Sequence, residues 1–119
     1  MKLWIDDVRP APEGYEWIAS VNEAKVTILA QEKFVNAIQG LFISAQNSAL
    51  SLIAEYGIEL IDIDHDAGDY ANDGGDYINL LNRLEETGRN YPIRIHSMNP
   101  VGVENMRRII QRNGWAEVK

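Results

Sequence analysis

The sequence predicts a single α/β domain built on a doubly wound parallel sheet, and three observations point there. Short apolar runs alternate with amphipathic segments along the 119 residues, the pattern of strand–helix–strand units. The runs Leu3-Trp4-Ile5 and 58–64 are mostly unbroken by polar alternation and end in acids, as strands buried on both faces do. The length suits one domain, 1–119, with one core, and no internal repeat, linker or low-complexity segment divides it.

The elements follow in order. The first strand ends at Asp6-Asp7, and two prolines and a glycine make residues 9–14 a loop. Residues 15–21 read as a second strand. Asn22 is placed to cap a helix through about residue 32, with Ala24, Ile28 and Leu29 on one face. Residues 33–43 carry apolar side chains without one clean period. Residues 44–56 read as a helix with Ala45, Ala49, Leu52 and Ile53 as its stripe and Gly57 at C′. A buried strand spans 58–64, and an acidic loop runs to about Asp73. Gly74-Gly75 precedes a helix over 76–86 that turns Tyr77, Leu80, Leu81 and Leu84 inward. Residues 92–96 form the next strand. Asn99-Pro100 supplies a side-chain cap and a proline at the first helical position. Val103, Met106, Ile109 and Ile110 form that helix's buried face, and Asn113-Gly114 ends it. Residues 115–118 read as a last short strand.

Composition excludes several classes of function. The formal charge of −7 argues against general attraction to nucleic acid, and no extended nucleic-acid surface is expected. Arg83, Arg89, Arg94, Arg107, Arg108, Arg112 and Lys119 gather in the last third, which leaves room for a local basic surface. The helix carrying Arg107, Arg108 and Arg112 reads as a solvated face. Without cysteine there is no disulfide, thiolate metal site or cysteine nucleophile. Acids interrupt Met-Lys-Leu-Trp-Ile-Asp-Asp at once, unlike a signal peptide, and no apolar run approaches the ~20 residues of a membrane span. The expectation is a soluble, cytoplasmic protein with no membrane association.

The aspartates are segregated. Asp6 and Asp7 close the first run, and Asp62, Asp64, Asp66, Asp69, Asp73 and Asp76 crowd one stretch that holds no Lys or Arg. Ligands of open parallel sheets bind outside the carboxyl ends of the strands. That rule sets Asp6-Asp7, Asp64-His65-Asp66 and His96-Ser97 on one rim. Asp6-Asp7 reads either as a solvated strand end or as oxygen ligands for a divalent cation; the second cluster at the same rim favours the cation. Asp64 and Asp66 point the same way if the strand continues, leaving His65 opposite. An EF-hand is rejected because Ala67 and Asp73 stand where that loop needs glycine and glutamate. Asp62, Asp69, Asp73 and Asp76 read as bystanders.

His96-Ser97-Met98-Asn99-Pro100 is the sharpest local signal. A histidine, a hydroxyl and an amide meet where a strand turns into a helix whose free N–H groups suit an anion. Gly102 permits close approach. The bland alternative makes Asn99 an ordinary cap and His96 a packed residue with its hydrogen bonds satisfied. Arg9 is balanced between a phosphate ligand and a surface charge. Gly74-Gly75 lacks the Lys-Ser/Thr of a P-loop, and no Gly-x-Ser-x-Gly elbow is present.

Leu-Trp-Ile-Asp-Asp-Val-Arg-Pro-Ala-Pro (3–12), Asp-His-Asp-Ala-Gly (64–68), Asp-Gly-Gly-Asp-Tyr (73–77) and His-Ser-Met-Asn-Pro-Val-Gly-Val-Glu-Asn-Met (96–106) resemble the cyclic-phosphate processing receiver-like domains, relatives of two-component receivers. The resemblance implies a receiver/flavodoxin-like fold with a helical insertion around 33–56. It also implies a Mg²⁺ (or Mn²⁺) site on Asp6, Asp7 and Asp64. The implied reaction is metal-assisted opening of a cyclic phosphate on a small molecule or RNA end. Asp64, His65, Asp66, His96 and Ser97 are its catalytic candidates, and Arg9, Ser97, Asn99 and Gly102 its phosphate-binding candidates. The alternative is a signalling or binding module with Asp64 as phospho-acceptor. Two departures from a signalling receiver stand out: the histidines at 65 and 96, and a tail, 115–119, without a convincing counterpart of the receiver lysine.

Overall fold

The structure, a computed structural model, describes residues 1–41 and 57–119, with Leu41 described in its backbone alone. Four strands, β1 (Lys2–Ile5), β2 (Tyr15–Ile18), β3 (Leu60–Ile63) and β4 (Ile93–Ile95), form one sheet in the order β2-β1-β3-β4. All three pairings are parallel. Residues 115–118 add only an isolated bridge, Ile93 to Glu117, beyond β4. The helices are α1 (Val21–Leu41), α2 (Ile78–Glu86) and α3 (Pro100–Asn113). This is the α/β, receiver/flavodoxin-like arrangement.

One sheet face holds the core. Leu3, Ile5, Ile61, Ile63 and Ile93 pack with Val21, Ala24 and Ile28 of α1, Leu80, Leu81 and Leu84 of α2, and Met106, Ile109 and Ile110 of α3. Successive strand residues face opposite ways, so the residues between these apolar ones line the other face. Strand register puts Trp17, Trp4, Asp62 and Arg94 in a single row across it. Trp4 stands outside the apolar cluster. β1 reaches β2 through a loop, residues 6–14, that contains no helix.

Local chemistry sets the helix ends, with two corrections. The cap of α1 is Ser20, whose Oγ accepts the Glu23 N–H at 3.1 Å; Asn22 is instead held by the loop, its side chain donating to Asp73 at 2.9 Å. A serine two residues upstream does the same work, and sequence spacing does not separate the two. The helix also continues well past residue 32, with Ile38 buried and Leu29 exposed. The expected helix over 44–56 lies outside the described residues. α2 turns Tyr77, Leu80, Leu81 and Leu84 inward as expected. α3 starts on Asn99, whose side chain accepts the Gly102 N–H, and ends at Gly114 with φ 67°, the left-handed conformation that favours glycine at C′.

Candidate functional site

The site is built from three strand ends. Asp6 follows β1, Asp64-His65-Asp66 follow β3, and His96-Ser97 follow β4. The ladder carries one residue past each strand, with Asp64 N–H on Ile5 O and His96 N–H on Ile63 O, both at 2.9 Å. The rim is therefore held by the sheet itself. One carboxylate oxygen each of Asp6, Asp7 and Asp64 lies within 4.8 Å of the others, as the sequence led us to expect.

Backbone groups orient these acids. Asp6 is fully buried, and its Oδ1 accepts N–H bonds from Val8 at 2.9 Å and Arg9 at 2.8 Å. Burial raises its pKa, but those two N–H groups and His96 outweigh burial and hold the carboxyl below its usual range. Asp64 Oδ1 accepts the His65 N–H at 2.7 Å. Asp7 is pushed the other way, first by burial and then by the negative charges of Asp6, Asp64 and Asp66. Gly68 makes room for it. With φ 54°, Gly68 leaves Asp7 Oδ2 2.2 Å from where a Cβ would lie, so a larger residue there is strained and displaces the Asp7 carboxylate. An all-oxygen donor set, crowded like charges and no ion-pairing side chain on Asp7 or Asp64 among the described residues fit a hard divalent cation.

His96 has both ring nitrogens engaged. Its Nε2 faces Asp6 Oδ2 at 2.9 Å and its Nδ1 faces Asp62 Oδ1 at 2.6 Å. The ring stacks on Trp4 with centroids 3.8 Å apart and planes 5° apart. Asp62 is fully buried and also accepts from Arg94 at 3.2 Å. Reading Asp62 as a bystander is thus corrected. The available signal was a lone acid inside the apolar strand Leu-Ile-Asp-Ile, since a buried charge demands partners. A neutral imidazole has one N–H donor. Here both ring nitrogens face carboxylate oxygens.

His65 is placed differently. Its Nδ1 meets Asp66 Oδ1 at 2.7 Å, and Asn99 Nδ2 reaches Asp66 at 3.3 Å. The histidine hydrogen bond outweighs burial and, with a lesser contribution from Asn99, holds Asp66 below its usual pKa. No partner is recorded for His65 Nε2 among the described residues. The first turn of α3 presses on the ring: a Cβ at Gly102 would lie 2.4 Å from His65 Cγ. Close approach at Gly102 is therefore to a histidine. Its N–H is already bound to Asn99 Oδ1 at 3.0 Å.

The remaining candidates scatter. Ser97 Oγ accepts the Asn99 N–H at 3.2 Å. The side chain of Arg9 is exposed and has no partner among the described residues, while its carbonyl accepts Trp4 Nε1 at 2.9 Å. Asp76 accepts the Ala67 N–H at 3.0 Å and ties down the acidic loop, and it also groups with His65 and Asp66. Lys119 pairs with Glu117 at 3.2 Å, not with the acids of the rim. No helix among the described residues is long and apolar enough to cross a membrane.

A four-stranded parallel sheet in the order β2-β1-β3-β4, with acids gathered at its carboxyl rim, defines a receiver-like domain. More narrowly, the chain matches the family model of the cyclic-phosphate processing receiver domain over residues 1–112 and belongs to that family. Nothing among curated proteins or solved structures matches it.

Proposed function

We propose that this domain carries out metal-assisted phosphoester chemistry on a cyclic phosphate, of a nucleotide or an RNA end. The observation that carries the reading is the convergence of Asp6, Asp7 and Asp64 oxygens within 4.8 Å on the rim of a domain whose family is tied to cyclic-phosphate processing. Asp6, Asp7 and Asp64 would hold Mg²⁺ or Mn²⁺. Such an ion, when bound, neutralises phosphate charge and lowers the pKa of water. The protein's own part is positioning and proton transfer. Asp66 accepts from His65 Nδ1, which sets the tautomer with a free Nε2 able to take or give a proton. His96, clamped on both nitrogens, orients Asp6 and tempers its charge; of the two histidines we assign the proton-carrying role to His65. The N–H groups of Ser97, Met98 and Val101, which have no acceptor among the described residues, offer donors to phosphate oxygens.

The test is turnover of 2′,3′-cyclic nucleotides or cyclic-ended RNA by purified protein with Mg²⁺ or Mn²⁺. Expected are turnover by the wild type and its loss in Asp64→Asn and His65→Gln. A clean wild type with no turnover sinks the enzyme reading. A receiver-type phospho-acceptor is the competing reading, because Asp64 follows β3 and sits beside Asp6 and Asp7. Acetyl phosphate with Mg²⁺, followed by intact mass, separates the two: a stable mass gain lost in Asp64→Asn favours signalling.

A further inference from the structure

Trp17 is the anomaly of the second sheet face. Trp4 and Trp115 are each 9% exposed, but Trp17 is 46% exposed, a large apolar ring left at the surface. It is not free to turn, since its Nε1 donates to the carbonyl of Asp6 at 2.8 Å. That bond lays the indole along the rim, against the residue that supplies one of the three converging carboxylates. Trp4, its buried neighbour in the row, is stacked on His96, so a row of rings links Trp17 to the site.

The charge around this ring is also unusual for the protein. In a chain of net charge −7, the face that bears Trp17 carries Lys2 and Arg94, with Lys2 Nζ 5.5 Å from the Tyr15 ring. The loop that crosses Trp4 adds exposed Arg9. The acids that share the face, Asp62 and Asp6, are buried and partnered. Aromatic surface bordered by cations fits a planar ring tethered to a phosphate, because bases stack on aromatic side chains while phosphates seek positive charge.

We propose that Trp17 is the stacking platform for the nucleobase of the bound nucleotide, and so a specificity-determining residue. This rests on the phosphate-site reading above and adds where the rest of the substrate lies. The test is equilibrium binding by calorimetry in Mg²⁺, comparing adenosine 3′-monophosphate with inorganic phosphate, for wild type, Trp17→Ala and Trp17→Phe. Thermal denaturation confirms that each variant is folded. The wild type is expected to bind the nucleotide at least about tenfold more tightly than phosphate. Trp17→Ala should remove most of that preference, and Trp17→Phe, which keeps a ring, should retain most of it. Equal binding of both ligands by the wild type, or a preference unchanged in Trp17→Ala, overturns the proposal; a partner protein would then be the better occupant of this face. If neither ligand binds, the phosphate-site reading falls too. If the base preference behaves as stated but no cyclic phosphate is turned over, the stacking site stands and only the catalytic reading fails.

Discussion

His96 and His65 follow neighbouring strands of one sheet and are built for opposite work. His96 has both nitrogens bound by buried carboxylates and its ring face covered by Trp4. His65 has one nitrogen on a mostly exposed carboxylate and the other unengaged among the described residues. The two side chains differ little in exposure, at 10% and 14%, so burial does not separate them; the number of committed nitrogens does. A histidine held on both sides can orient a neighbour but has no nitrogen left for a substrate proton. A histidine held on one side has a fixed tautomer and a working edge.

The sharpest way to break this contrast is to unmake the clamp. Asp62→Ala leaves His96 and Arg94 without their shared carboxylate in the interior. Removing one partner of a buried charged pair is strongly destabilising. We expect a loss of about 3 kcal/mol in urea denaturation, at the low end of that class because Arg94 is half-exposed. A loss under about 1 kcal/mol would show that the cluster is not a structural clamp.

Gly102 tests the other histidine. Gly102→Ala puts a methyl 2.4 Å from the His65 ring, which must move or push α3 away. Overpacking costs about 1–3 kcal/mol, and alanine's better helix propensity returns up to about 1. The net expectation is a loss of about 1–2 kcal/mol, with turnover lost beyond what stability explains. Gly40→Ala in α1 is the control, since nothing lies within 4 Å of its added methyl; it should stabilise by about 0.5–1 kcal/mol.

His65→Gln is the smaller structural change and the larger functional one. The ring has a single side-chain partner of consequence and no clamp, so the stability loss should stay near 1 kcal/mol or below. Loss of a general acid–base group should lower turnover by about 10²–10⁴-fold. A His65→Gln variant with near-normal turnover would return the proton-carrying role to His96 and invert the comparison.

These roles were only partly legible in the sequence. The parallel strands, the acids at their carboxyl ends and the Asn99-Pro100 helix start follow from local rules, because periodicity, capping and strand polarity act over a few residues. The grouping of Asp6, Asp7 and Asp64 was implied by the family resemblance, and strand order sets the ends of β1 and β3 side by side. What escaped was set by side-chain partners distant in sequence. Asp62 looked idle because its partners, His96 and Arg94, lie more than thirty positions away and meet it only through the register of β3 with β4. The start of α1 escaped for the opposite reason, as two good caps, Ser20 and Asn22, stand two residues apart and only the loop at Asp73 decides between them.

The smallest expected effect marks the boundary of the comparison, because acid lability does not belong to the histidine clusters alone. Glu85 on α2 is held by Arg112 of α3, with Asn113 as a second donor, and its pKa falls to about 2 from an ordinary 4.5. A carboxyl whose folded pKa is depressed adds stability above its unfolded pKa and loses it as pH falls through the folded one. The Glu85 contribution is therefore complete above about pH 4.5 and gone near pH 2. The group is exposed to solvent and salt, so the effect should be modest and should shrink as ionic strength rises. Melting temperature measured from pH 6 to pH 2 should fall slightly less in Glu85→Gln than in the wild type. Whatever acid lability persists in Glu85→Gln can then be assigned to the other carboxylates. Identical pH profiles for wild type and Glu85→Gln would mean that the α2–α3 ion pair contributes nothing to acid stability.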